Sequence, residues 1–273
     1  MPVDTAVAPR LEISGLDAGY FGQPVVRELN LAVAPGEVVA LLGANGAGKT
    51  TTLSTIAGLL DPIAGTISMD GEDIAGRPTH RLAREGVSLV PESRALFNGL
   101  SVKEHLQLAR SGGDDLPTDA ILEMLPELEK CMGRKAGVLS GGEQQMLAVG
   151  RALVGRPRLL LVDEMSLGLA PIIVERLLPI LRRVADEMGT GVLFVEQHVP
   201  LALQVADKAY VLSHGRLVLE GAADRLRGET ELLRASYLGD EAAESVAGTV
   251  TGPRVGDRGN RDTDNGGDKP DAT

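Results

Sequence analysis

Glu37-Val38-Val39-Ala40-Leu41-Leu42 runs directly into Gly43-Ala44-Asn45-Gly46-Ala47-Gly48-Lys49-Thr50, and Thr51-Thr52-Leu53-Ser54-Thr55-Ile56 follows. An apolar β-like run, a glycine-rich turn of the form GxxxxGK[ST] and a helix-forming segment, in that order, define a phosphate loop. The glycines let backbone N–H groups turn inward around phosphate oxygens, and the following helix offers the positive end of its dipole, about half an elementary charge. The candidate nucleotide-binding residues are therefore Gly43, Ala44, Asn45, Gly46, Ala47, Gly48, Lys49, Thr50 and Thr51. In this pattern Lys49 reaches the β- and γ-phosphates and Thr50 ligates Mg2+. Phosphate binding alone leaves kinases and GTPases open.

On the N-terminal side, the runs LEISGLD and VVRELNLAV read as strands punctuated by glycine and proline, with Ala34-Pro35-Gly36-Glu37 as the turn before the third run. Helical spacing takes over from about Ser101 to Lys130, with Pro126 as an expected break. From Ser140 the order becomes helix, the apolar strand RLLLVDE, helix, the strand GVLFVEQ, helix, and a hairpin around Ser213-His214-Gly215. Strands alternating with helices predict a parallel sheet covered by helices. After about Asp240 large apolar residues nearly vanish, so the stretch cannot bury enough surface to offset its ordering entropy. The expected layout is a flexible N-terminus (1–10), a catalytic domain (11–239) with a helical insert at about 100–139, and a disordered acidic tail (240–273).

Arg158-Leu159-Leu160-Leu161-Val162-Asp163-Glu164 is an apolar run ending in two acids, as expected of a buried parallel strand whose carboxyl end opens at a ligand. Asp163 is placed to hold the metal and Glu164 to polarise the water that attacks the γ-phosphate. About twenty residues upstream stands Leu139-Ser140-Gly141-Gly142-Glu143-Gln144-Gln145, just before a helix. Ser and Gly at a helix start form an anion site, and the same residues also serve as an ordinary N-cap.

In that position LSGGEQQ resembles the signature motif of ABC-type ATPases, and the resemblance extends from Leu11 to Gly239. It implies an α/β fold: a P-loop NTPase core with an N-terminal antiparallel β subdomain and a helical insert. It also implies that Ser140, Gly141, Gly142 and Glu143 contact ATP held by an opposing subunit. Tyr20 resembles the aromatic that stacks on adenine, and Ser166-Leu167-Gly168-Leu169 the loop that meets its counterpart across a dimer. Three departures from the family's pattern stand out. Counting back from Leu100-Ser101-Val102 puts Glu92 where most members carry a Gln; a carboxylate still reaches Mg2+ or a water but, ionised, donates no hydrogen bond. Where a switch His is usual, strand alignment places Gln197, with His198 one residue later and pointing the other way. Met165 replaces a usual Pro, a change expected to be mild.

With SLGLAP and SYLG, these departures make the chain similar to LivF-type ATP-binding subunits of branched-chain amino acid importers, a group that also includes importers of urea and amides. The resemblance implies ATP and Mg2+ as cofactors, two membrane-spanning permease subunits, and a second copy or a related ATP-binding subunit as partners. A solute-binding protein acts indirectly, and the location is the cytoplasmic face of the membrane. Bulk properties agree. The net charge of −11 weighs against a nucleic-acid partner, and against a non-transport ABC protein acting on DNA or the ribosome. Cys131 is the single cysteine, which excludes an intrachain disulfide and fits a reducing compartment. No run approaches the ~18 apolar residues of a membrane helix, so the chain is expected to be soluble by itself.

Overall fold

The computed structural model describes residues 8–110 and 112–228. The tail expected at 240–273, and residues 1–7 of the expected flexible N-terminus, lie outside them. The chain begins β1 (Leu11–Tyr20), β2 (Gln23–Val33), β3 (Val38–Leu42), α1 (Lys49–Ile56), β4 (Pro62–Met69), β5 (Glu72–Asp73), α2 (Thr79–Arg84) and β6 (Val87–Val90). It continues α3 (Val102–Leu108), α4 (Thr118–Met124), α5 (Gly141–Leu153), β7 (Leu159–Val162) and α6 (Pro171–Met188). The last described elements are β8 (Gly191–Glu196), α7 (Val199–Val205), β9 (Lys208–Ser213), β10 (Arg216–Ala222) and α8 (Ala223–Gly228).

Two sheets result. Strands β2-β1-β4-β5 form an antiparallel sheet, and β10-β9-β3-β8-β7-β6 a second one in which only the β10 edge runs antiparallel to its neighbour. Successive side chains of the parallel strands alternate between two cores. Val38, Ala40 and Leu42 of β3 pack with Leu160, Val162 and Phe194 among residues of α5, α6 and α7. Val39 and Leu41 pack with Leu161, Leu193 and Val195 on the side of α1 and the antiparallel sheet. Because both faces are covered, these strands read as continuous apolar runs rather than as alternation.

The architecture is the α/β one expected, with strands, turns and the final hairpin where the sequence placed them. The helical spacing from Ser101 to Lys130 resolves into two short helices, and a 3-10 turn begins at Pro126, two residues after α4 ends. Strand β6 carries the chain from the antiparallel region into the parallel sheet. Its four residues, Val87 to Val90, were too short to register as an element in the sequence.

Candidate functional site

The ends of β3, β7 and β8 and the turn after β6 converge on a cavity of about 320 Å3. Asn45, Gly46, Gly48, Lys49, Thr50 and Thr51 line it from the glycine-rich turn and the start of α1. Glu92, Glu164 and Gln197 line it from three other segments. The turn takes its shape from tight approaches. A Cβ on Gly43 would fall 2.4 Å from the Leu212 carbonyl oxygen, and one on Gly48, where φ is +104°, would fall 2.6 Å from Val26 Cγ2. No side chain fits at either position, so the backbone itself faces the ligand space. The β9–β10 hairpin holds this turn from behind, since the Gly215 N–H donates to the Ala47 carbonyl at 3.1 Å.

Lys49 is 4% exposed; its Nζ donates to the Gly43 and Ala44 carbonyls at 2.8 and 2.9 Å and lies 3.5 Å from Glu164 Oε1. Burial lowers its pKa, and the Glu164 and Asp163 carboxylates oppose that shift. Asp163 directly follows β7, with its N–H on the Val90 carbonyl at 2.9 Å, and the Thr50 hydroxyl donates to its Oδ1 at 3.2 Å. Burial pushes the Asp163 carboxyl up to about 6, reinforced by the nearby Glu164 and Glu92 charges and offset by Thr50 and Lys49. A buried acid with its ionised form disfavoured, beside a hydroxyl and an open cavity, is a fitting pair of oxygen donors for a divalent cation that also takes phosphate oxygens. Among the described residues no cluster of three His, Cys, Asp or Glu could hold a metal by itself, so nucleotide oxygens would complete such a shell.

Glu164 has φ +42°, in the left-handed region that non-glycine residues occupy at a cost. The next turn is anchored by a residue to which sequence reasoning assigned no role. Glu196, 1% exposed at the end of β8, accepts from the Ser166 N–H at 3.0 Å and the Ser166 hydroxyl at 2.7 Å. The signal was present in GVLFVE, a single acid closing an apolar run. Leu167 and Val25 also line the cavity and carried no polar signal. Gln197 reaches the cavity while His198 is exposed and forms the N-cap of α7, the arrangement expected from strand alternation.

The remaining candidates lie elsewhere. Tyr20 is 45% exposed at the β1–β2 turn and does not line the cavity. Ser140 to Glu143 also stand outside it, at the start of α5. Ser140 is exposed and caps α5: its Oγ accepts the Glu143 N–H at 3.3 Å, and Glu143 Oε2 accepts the Ser140 N–H at 2.7 Å. That backbone donor holds the Glu143 carboxyl below its ordinary range. The Ser140 side chain also hydrogen-bonds the Glu143 carboxylate, so the cap engages its hydroxyl hydrogen as well as its lone pair. Gly142 is buried, and a Cβ there would fall 2.9 Å from Ile173 Cγ2 of α6.

Comparison with known proteins places this geometry. The ABC transporter family model matches residues 26–166. The branched-chain amino acid transport ATP-binding protein BraG of Pseudomonas aeruginosa is 41% identical over 81% of this chain and 96% of its own length. The probable branched-chain amino acid transport ATP-binding protein LivF of Archaeoglobus fulgidus is 35% identical over 77% and 91%. The lipopolysaccharide export ATP-binding protein LptB of Escherichia coli is likewise 35% identical, over 85% and 98%. Among solved structures, cbiO1 of Clostridium perfringens, part of an ABC transporter complex, superposes with a TM-score of 0.72 at 26% identity, covering 84% of this chain and 94% of that one. A phosphate loop, a capped LSGGEQQ turn and an acidic strand end in this order and on this fold, with relatives matched over nearly their whole length, make the chain an ATP-hydrolysing member of the ABC transporter family.

Proposed function

We propose that this chain powers an importer of branched-chain or related amino acids, working as one of two ATP-binding subunits that face each other. The observation that carries the ATPase part is the convergence of Lys49, Thr50, Glu92, Glu164 and Gln197 on one cavity while Ser140 stands exposed outside it. In this reading the glycine-rich turn from Gly43 to Gly48, with Lys49, grips the phosphates. Thr50 and Asp163 hold Mg2+, with Glu92 beside it, and the bound ion supplies positive charge against the phosphate oxygens. Glu164 accepts a proton from the attacking water, and Gln197 orients the γ-phosphate end by hydrogen bonding. Tyr20 stacks on the adenine. Ser140, Gly141, Gly142 and Glu143 contact the nucleotide held by the other subunit, which is a related chain or a second copy.

ATP binding thereby favours a closed pair, and hydrolysis with phosphate release reopens it. No described helix is long and apolar enough to cross a membrane, so two permease subunits would supply the passage, with this chain on their cytoplasmic face and a solute-binding protein delivering from the other side. The solute class rests on the similarity to BraG across nearly all of that protein. LptB matches over a comparable length, in keeping with solute choice residing in partner chains. The test is to purify the chain with its membrane subunits, reconstitute them in vesicles and measure ATP turnover with candidate solutes and the binding protein. Stimulation by leucine, isoleucine or valine is expected. Stimulation by urea or amides alone would replace the amino-acid assignment.

A further inference from the structure

A second cavity, of about 380 Å3, opens at the other end of the parallel strands from the glycine-rich turn. Its walls come from separate parts of the chain. The helical insert supplies Leu116, Ala120, Glu123 and Met124, while the core supplies the turn before β7, the last turns of α6 and Arg10 ahead of β1. Arg10, Arg156, Arg158 and Arg183 line it together with Glu123 and Glu187. Asp70, which pairs with Arg10 and Arg158, and Asp114, which pairs with Arg156, bring acids and bases level. A polyanion such as a nucleotide needs an excess of basic groups; a level balance with both signs present is complementary to a zwitterion.

One donor in this wall has nothing to bind. Arg10 Nη1 donates to both carboxylate oxygens of Asp70, at 2.6 and 2.8 Å, but its Nε is buried without a hydrogen-bond partner. Buried donors are nearly always paired, so an unpaired guanidinium N–H on a cavity wall is a place for a ligand oxygen. Arg156 adds a second cation. Its backbone is held at φ +46°, a left-handed value that a non-glycine residue adopts at a cost and that tends to be kept where a position serves a site. Its ion pair with Asp114 is a 3.4 Å contact to a side chain 90% exposed, which contributes little against water and leaves the guanidinium available to a ligand.

The opposite charge is supplied by Glu123 and Glu187. Glu187 stands in the last turn of α6, where the partial negative charge of the helix end adds to its own. Leu116 and Met124, both buried, and Met188 provide an apolar wall, and the flexible thioether chains adapt to an aliphatic shape. Places for a carboxylate, an ammonium and an aliphatic group are the three parts of an apolar α-amino acid.

We propose that this cavity binds such an amino acid, its carboxylate at Arg10 Nε and Arg156, its ammonium at Glu123 and Glu187, and its side chain against Leu116, Met124 and Met188. None of these residues lines the nucleotide cavity. The choice of ligand rests on the importer reading above, because an importer releases its solute on the side where this chain sits. The binding itself needs neither nucleotide nor partner.

Isothermal titration calorimetry on the full chain without nucleotide tests it. L-Leucine, L-isoleucine and L-valine are each expected to bind one per chain, with a dissociation constant of about 1 mM or tighter. Leucinol, which lacks the carboxylate, and 4-methylpentanoate, which lacks the ammonium, should bind at least about tenfold more weakly, and inorganic phosphate should not displace leucine. Arg156→Ala and Glu187→Gln, both at exposed positions, should each weaken leucine binding by about tenfold. Ala120→Phe should abolish it by filling the cavity, and all three variants should bind an ATP analogue within about twofold of the wild type. The proposal is overturned if the wild type shows no saturable leucine binding, if phosphate competes, or if leucine binds Arg156→Ala and Glu187→Gln as it binds the wild type. Leucine binding here with reconstituted vesicles that ignore amino acids would leave this site standing and remove the importer's solute assignment. Vesicles stimulated by leucine with no binding here would remove this site alone.

Discussion

The Thr50 hydroxyl donates to Asp163 Oδ1 at 3.2 Å although 113 residues separate the two in the chain. The contact joins the first turn of α1 to the end of β7, and the burial that makes it also pushes the Asp163 carboxyl up to about 6. In the empty protein that carboxyl is a destabilising charge at neutral pH; beside a bound cation it becomes an asset. Under the proposed metal-binding role, burial and charge therefore oppose each other until a cation arrives.

The opposition sets a pH dependence. Because the folded-state value lies above the ordinary 3.8, the folded protein holds the proton more tightly than the unfolded one. The contribution of Asp163 is thus most favourable below about pH 4 and is lost as pH rises through about 6, at a cost of up to about 3 kcal/mol. Asp163→Asn should raise the melting temperature of the nucleotide-free protein at pH 8 and have little effect at pH 4. Mg2+-dependent ATP affinity should fall below about pH 6 in the wild type, roughly tenfold per unit, as the metal must displace the proton. Calorimetric titration across pH 5 to 8 checks both; a flat wild-type profile would remove Asp163 from the metal's shell.

Glu164 lies 3.5 Å from Lys49 Nζ and lines the cavity, in keeping with its proposed role as the base. Glu164→Gln keeps the shape and removes the base, so turnover should drop by about 10²- to 10⁴-fold while ATP binding remains. The variant should accumulate as a closed, ATP-bound pair, visible as a doubling of mass in size-exclusion chromatography with its partner subunit. Normal hydrolysis by this variant would transfer the base role elsewhere.

Gln197 lines the cavity and His198 does not. Gln197→Ala is therefore expected to lower turnover by about tenfold or more, the equivalent of 1.4 kcal/mol per factor of ten. His198→Ala should leave turnover within about twofold, since its ring adds no cap hydrogen bond at the start of α7. ATPase assays on the two variants side by side give the answer, and loss confined to His198→Ala would reverse the assignment.

Glu196 is a buried acid that serves the loop after Glu164 rather than the nucleotide directly, through its two hydrogen bonds to Ser166. Glu196→Ala strands the Ser166 N–H and hydroxyl without an acceptor, which should cost about 1–3 kcal/mol in urea unfolding. Ser166→Ala removes one of the two bonds and should cost less. If Glu196→Ala leaves both stability and turnover unchanged, the clamp has no role in shaping the site.

Much of this was legible in the residues alone, for reasons that are local. A phosphate loop is nearly contiguous: Gly43 to Thr50 turns where no side chain fits at Gly43 or Gly48, so the glycine pattern in the sequence and the turn in the structure coincide. The buried strands were equally readable, because a sheet covered on both faces demands uninterrupted apolar runs such as Leu159 to Val162. Gln197 lines the cavity and His198 does not, but both follow Glu196, the last residue of β8, so the turn into α7 rather than strand alternation sets their directions.

What only the tertiary structure decided are contacts between segments far apart in the chain, whose partners no local pattern specifies. The role of Glu196 depends on Ser166 arriving 30 residues away, and the pairing of Arg10 on Asp70, 60 residues away. A carboxylate or guanidinium reads the same in sequence whether it faces water or a buried acceptor. The pKa of Asp163 and the unpartnered Nε of Arg10 arise from burial, and burial belongs to the packed chain as a whole. By itself, then, the sequence determined the glycine-rich turn between β3 and α1 and the longer apolar strands of the parallel sheet, because those follow from short-range backbone geometry. Only folding determined how the gripping site is wired to the rest of the molecule, because that wiring consists of long-range contacts made in a dry interior.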